Sequence, residues 1–170
     1  MFAVSKLIYN RLYEILEDAS ETDLSYCKLL QRGFHPTAEN LLAPTMYPWV
    51  FIEYVSQSNI TIQRMPTVWQ YELTIGIVAL TLADRSDFDS IVYKEDGSKN
   101  TNPGIGDMVE DIQSVLWAHH NDFGVPGGVV QNWTISRIGM PSVLHVQALM
   151  MSEFVRGLQI DVTFQIVERE

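Results

Sequence analysis

The sequence is short of cysteine: Cys27 is the one it has, so an internal disulfide is excluded and a reducing compartment suits the chain. It is short of positive charge as well, with 11 basic residues against 21 acidic ones and a net charge of −10. A protein that grips DNA replaces phosphate counterions with Lys and Arg. Here the basic residues are scattered, so sequence-specific DNA binding is not expected, and an acidic surface repels a passing nucleic acid. No apolar run approaches the roughly 20 residues of a membrane span. The opening Met1-Phe2-Ala3-Val4-Ser5-Lys6 turns polar before a signal-peptide h-region forms. With no secretory route expected, the N-x-T sequons Asn59-Ile60-Thr61 and Asn132-Trp133-Thr134 read as chance matches. No repeat, low-complexity tract or Pro/Gly/Ser-rich linker divides the 170 residues, which fits one domain over 1–170.

What is present is a globular composition, 46% hydrophobic and 19% charged, and strong β patterning. Apolar and polar residues alternate through the terminal Gly157-Leu158-Gln159-Ile160-Asp161-Val162-Thr163-Phe164-Gln165-Ile166-Val167. Leu158, Ile160, Val162, Phe164 and Ile166 share one face, the period of a half-buried strand. Val68 to Leu82 is the longest β signal. Its face of Trp69, Tyr71, Leu73, Ile75 and Ile77 is apolar throughout, and its other face changes from Gln70, Glu72 and Thr74 to Val78, Leu80 and Leu82. That change predicts a central strand covered on both faces towards its end, with Gly76 allowing a bulge or a close approach. Further strands are expected at Tyr47–Tyr54, opened by Pro48, at Ile60–Arg64 turned back on it after Ser56-Gln57-Ser58-Asn59, at Val130–Ile138, and from Val143 to about Met151.

Helical spacing occurs twice. Val4, Ile8, Leu12, Ile15, Leu16 and Ala19 make a stripe on an N-terminal helix, and Ile105, Met108, Val109, Ile112, Val115 and Leu116 make another near 103–119. Asn102 reads as the N-cap of the second, with Pro103 at its first position. Between these elements, 20–46 reads as an extended arm or an extra short helix, Leu24 to Gln31, ended by Gly33. Residues 84–103 read as a mobile acidic loop. The expected fold is α+β: a mostly antiparallel sheet of about five to six strands with two main helices packed on it.

Candidate chemistry is thin. Cys27 and His35 lie in one stretch, but no third orienting group or oxyanion site accompanies them, so Cys27 reads as a small buried residue and His35 as a loop residue. His119 and His120 are adjacent and point about 100° apart on a helix, whereas zinc-binding helices use i, i+4 pairs, so they read as partners of the helix C-terminus. Asp84 and Glu95 stand at the first and twelfth positions of a calcium-loop spacing, but Phe88 and Asp89 break it inside. Gly104-Ile105-Gly106 lacks the third glycine of a phosphate fingerprint. Trp49, Trp69 and Trp133 would serve a ligand-binding module, but such residues more often pack cores. No catalytic, cofactor or metal residue is assigned, and an enzyme is not expected.

At Tyr47-Pro48-Trp49-Val50-Phe51-Ile52-Glu53, Trp69-Gln70-Tyr71-Glu72-Leu73, the helix Gly106 to Trp117 and the terminal Gly157-Leu158-Gln159-Ile160-Asp161-Val162, the chain resembles the tail terminator or tail-completion proteins of long-tailed bacteriophages. The resemblance covers most of the chain outside 20–46 and lies in the order of elements. It implies a virion protein, assembled in the host cytoplasm, that forms a hexameric ring on the last tail-tube ring and meets the head connector. DNA would pass through the lumen unread. Another neck protein, a head-completion protein or connector adaptor, is the near alternative; a small cytoplasmic enzyme or a ligand-binding module is the more distant one.

Burying five large apolar side chains of the terminal strand contributes on the order of 10 kcal/mol gross, comparable to a domain's net stability. Deleting the chain from Gly157 onward should therefore unfold it, as loss of the far-UV circular dichroism spectrum would register.

Overall fold

The computed structural model describes residues 3–34, 47–64, 67–82, 103–151 and 155–169. In chain order these form α1 (Ala3–Ala19), β1 (Leu29–Arg32), β2 (Trp49–Arg64), β3 (Thr67–Leu82), α2 (Ile105–Ala118), β4 (Gly128–Gly139), α3 (Leu144–Met151) and β5 (Val155–Arg169). The strands make one five-stranded sheet in the order β1-β2-β3-β5-β4. Only β1 is parallel to its neighbour; the other pairings are antiparallel. The fold is α+β, as the patterning indicates, and β3 is central.

One face of the sheet carries α1 and α2. The stripe of α1, from Val4 through Ile8, Leu12 and Ile15 to Leu16, is buried, as are Met108, Ile112 and Leu116 of α2. They close over Leu73, Ile75 and Ile77 of β3 and Ile160, Val162, Phe164 and Ile166 of β5. Each such side chain contributes about 1.5–3 kcal/mol relative to exposure. The N-terminus of α1 is tied to the sheet by a polar chain. Gln57 donates to the Ser5 hydroxyl, Ser5 donates to Tyr71 Oη over 3.0 Å, and Tyr71 donates to Glu168 over 2.9 Å. Burial raises the Tyr71 phenol above its ordinary range; the Ser5 bond opposes that shift and Glu168 adds to it.

The opposite face is divided. At one end a second cluster, Tyr47, Trp49, Phe51, Val78, Leu80, Val146 and Val155, packs under α3 and Phe34. At the other end the same face is polar, with the hydroxyls of Thr74 and Thr163 in contact at 3.0 Å and Thr163 donating to Ser136. A polar network marks the division. The Asp161 carboxylate accepts from Arg137 Nε at 2.6 Å and from Gln159 Nε2 at 2.6 Å, while Gln159 Oε1 accepts from the Ser142 amide at 2.9 Å. Every ligand of the buried Asp161 thus also positions the 140–143 turn that leads into α3.

The structure corrects four expectations. Residues 143–151 form no strand: α3 occupies Leu144–Met151 and buries only Val146. The run Gln-Ala-Leu-Met-Met is made of good helix formers, and the chain enters it after Ser142 is held by Gln159. Leu24 to Gln31 is not a helix. Turns fill 20–26, with the Leu24 amide bonded to Ala19 O at 2.8 Å, and β1 then adds to Trp49–Ile52 of β2. Ser56–Asn59 does not reverse the chain. β2 runs straight through it, and register shifts at Tyr54/Ser56 and Ser58/Thr61 absorb the extra residues, with Asn59 at φ 54°. Last, Gly104 is the N-cap of α2 and precedes its first turn with extended backbone, its amide bonded to the Asp107 carboxylate at 3.0 Å. Pro103 therefore stands before the cap, and Asn102 lies outside the described residues. Residues 35–46 of the proposed arm and the acidic loop 84–102 lie outside them too.

Gly76 has its explanation in the polar network: a Cβ there would sit 2.7 Å from Gln159 Nε2 and 3.2 Å from a Val55 methyl. Since Gln159 is fully buried and held at both ends of its amide, it has little room to yield. Gly76→Ala should cost about 1–3 kcal/mol, read as a lowered midpoint in urea or thermal unfolding; an unchanged midpoint would show that Gln159 is not fixed.

Candidate assembly surface

The residues singled out for chemistry do not converge. Cys27 is half-buried, and its thiol contacts Leu29 O at 3.2 Å. Burial pushes its pKa up to about 11, against the smaller opposing effect of backbone hydrogen bonds from Leu29 and Val50. A nucleophilic cysteine needs the reverse shift. His119 forms the C-cap of α2 and places Nδ1 2.7 Å from Asp122 Oδ2, whereas His120 donates to Trp117 O at 2.9 Å. Each ring is committed to a different local partner near the helix end, as their adjacency requires. Among the described residues no group of three or more His, Cys, Asp or Glu side chains is placed to hold a metal ion. His35, Asp84 and Glu95 lie outside the described residues.

The tryptophans divide by role. Trp49 is fully buried and stacked on Phe34 at 5.2 Å, part of the second core. Trp69 is half-buried on the helix-covered face. Trp133 belongs to an aromatic row running from the core to the surface: Phe164, Phe123, Trp133, Trp117, with successive centroids 5.0, 5.5 and 5.3 Å apart. The Trp133 indole is oriented by donation to His120 O at 3.0 Å. Trp117 at the outer end of the row is 62% exposed. Around this pair lies a groove of about 730 Å³, walled by Trp117, Phe123, Val130 and Trp133 and by the 124–128 turn. A tryptophan left largely in water beside an open groove, here one of mixed polarity with His120, Asn121, Gln131 and Asn132 also in its wall, marks a candidate contact surface. Trp117 was legible as an anomaly: it falls on the solvent side of α2, away from the stripe formed by Ile112, Val115 and Leu116.

The sheet edges are the second feature. β1 covers β2 only at Trp49–Ile52. From Glu53 to Arg64 the outer side of β2 has no partner strand among the described residues, and β4 has none along its outer side. Unpaired edges are templates for another strand, and proteins blunt them with Lys or Pro. Glu53–Arg64 and Gly128–Gly139 contain neither residue, and the protection they do have is two β-bulges each. Instead the β2 edge exposes Ile60 at 47% and Ile62 at 51%, an alternating apolar pair that its reading as half of a hairpin had obscured.

A scan against known protein families finds no match for this chain, and neither does a sequence search of curated proteins. Among the described residues no helix is long and apolar enough to cross a membrane.

The Cys27 thiol, pushed up to about 11 by burial, has about 100-fold less thiolate at neutral pH than an ordinary thiol. Alkylation of Cys27 by iodoacetamide at pH 8 should therefore run on the order of 100-fold slower in the folded protein than in urea; equal rates would overturn the burial argument.

Proposed function

We propose that this chain is a structural subunit that tiles with copies of itself into a closed ring, and that the ring is a tail terminator of a long-tailed phage, capping the tail tube and joining it to the head connector. The observation that carries this reading is that, among the described residues, the two outer edges of the sheet lack a partner strand on opposite sides of one subunit. An edge on one side only would favour a dimer through a two-fold axis. Two different edges favour head-to-tail contacts, which form rings when the rotation closes. The resemblance at 47–53, 69–73, 106–117 and 157–162, segments that fall in β2, β3, α2 and β5, supplies the virion setting. The net charge of −10 suits a channel through which DNA slides without being gripped. The exposed Trp117, Ile60 and Ile62 supply apolar surface of the kind an assembly buries.

The test is the state of the protein in solution and with its partner. Light scattering and electron microscopy at rising concentration, alone and with tail-tube protein, should give a ring of defined subunit number that adds to the end of tubes and stops their growth. A chain that stays monomeric under both conditions would reject the reading. A ring that binds only connector protein would transfer it to another neck component.

A further inference from the structure

We propose that the part of the β2 edge left without a partner among the described residues pairs antiparallel, and without axial offset, with the outer edge of β4 in the next copy, placing Ile60 and Ile62 in the Trp117–Trp133 groove. This assignment rests on the ring reading and names the contact that builds the ring.

Heights within the sheet follow from the pairing, edge to edge. Glu53 is level with Gly76, Asp161 and Arg137; Gln57 with Leu73, Phe164 and Trp133; Ile62 with Trp69, Glu168 and Gly128. The uncovered part of β2 therefore occupies the same band of the sheet as β4. The limits overlap by two residues. β4 ends at Gly139, and Ile138 and Gly139 stand level with Ile52 and Phe51, which β1 already covers through Arg32 and Gln31, so the pairing runs from Gly128 to Arg137 and the last two residues of β4 splay from the edge. A copy rotated about an axis along the strands meets this edge at its own height, so the contact repeats into a ring; an offset would climb into a filament. Direction is settled by the same ladders. Three successive antiparallel pairings leave β2 and β4 opposed within a copy, and rotation about that axis keeps them opposed across the junction.

The irregularities correspond as well. β2 is bulged at Tyr54/Ser56 and Ser58/Thr61, and β4 at Ile135/Arg137 and Val130/Asn132. Followed across the sheet, the first of each pair falls beside Ile75 and Val162, and the second beside Tyr71 and Ile166. A bulge normally bends an edge away from a straight intruder. Two edges bent at the same heights fit each other and exclude a flat strand.

Side chains complete the fit. Ile62 is opposite Trp69 and so points to the helix-covered side of the sheet, and Ile60, two residues earlier, shares that side. In the paired edge they stand level with Gly128 and with Val130, both in the groove wall. On the other side Glu53, which accepts from the Phe34 amide, stands level with Arg137, whose guanidinium serves Asp161 and Met140 O, so this pair adds no free charge to the junction.

Ser58 and Asn132 are level through Glu72 and Gln165 and are both exposed. Directly opposed residues in an antiparallel ladder lie about 4.5–5.5 Å apart at Cα, within disulfide reach. In a Cys27→Ser background, oxidation of the Ser58→Cys/Asn132→Cys protein should give a reductant-sensitive ladder of covalent multimers, while either single variant stays monomeric on a denaturing gel. Ile60→Glu/Ile62→Glu should weaken assembly at least ten-fold by native mass measurement and leave the circular dichroism spectrum of the subunit intact. Cross-linking reads the contact independently of whether that charged variant folds. A wild-type multimer whose cysteine pair stays unlinked overturns the edge assignment and leaves the ring reading standing. Linking by one single variant, which marks a two-fold contact, overturns it too. A wild-type chain monomeric at every concentration, with its cysteine pair unlinked, overturns both.

Discussion

β5 is paired along its full 15 residues with β3, from Val155↔Leu82 to Arg169↔Val68. Its other side holds β4 from Gly128 to Gly139. Strands far apart in sequence meet here, and the closing strand must be in place before β4 has anywhere to pair. A slip of one residue would turn Ile160, Val162, Phe164 and Ile166 out of the helix-covered core and drive Gln159 and Asp161 into it. The register of this pair therefore sets the helix seats, the polar network and the height of both outer edges together.

From that constraint follows the unequal treatment of the two faces. Above the helix-covered core the apolar period is unbroken from Tyr71 to Ala79. On the reverse face Val78 and Leu80 need a cover, which α3 and Phe34 supply, while Glu72, Thr74 and Thr163 need none. Asp161 sits at the change-over. Its carboxylate is almost fully buried, yet it is satisfied by Arg137 and Gln159, so the cost of burying its charge is offset by charge-assisted bonds that also place the turn before α3. The covered end of the sheet coincides with the part of β2 that β1 protects. The open end coincides with the part that nothing among the described residues protects.

Much of this was legible because it depends on period. Leu158 to Ile166 alternates cleanly since one face is buried and the other meets polar surroundings, and the stripes of α1 and α2 return every turn for the same reason. The change from Glu72 and Thr74 to Val78 and Leu80 foretold the second core. What escaped is what long-range contact decides. Ser56–Asn59 has the composition of a reversal, but bulges and reversals draw on the same residues, and only pairing to β3 distinguishes them. α3 has almost no amphipathic face, because Val146 is its one buried side chain, so no helical period was there to find. β1 is four residues long and owes its existence to the neighbouring Trp49–Ile52. At the candidate surface the tryptophans were visible but not their division into buried and exposed, which depends on where α2 ends relative to β4.

Among the described residues both outer edges lack a partner strand, an aggregation hazard that proteins blunt with β-bulges, which both strands carry, or more simply with a lysine in each strand. Neither edge has one, and Ile60, Ile62 and Trp117 are left in water beside them. Such exposure is tolerable when the surfaces are covered soon after folding by the correct partner and refuse the wrong one. Under the proposed edge pairing, refusal would come from shape: strands bulged at matched heights would pair with each other and poorly with a flat edge. The same bends that make the edges specific also limit them to one height, and one height is the geometric condition for a ring over a fibre. Stability of the fold and closure of the assembly would then draw on one register, that of β5 against β3.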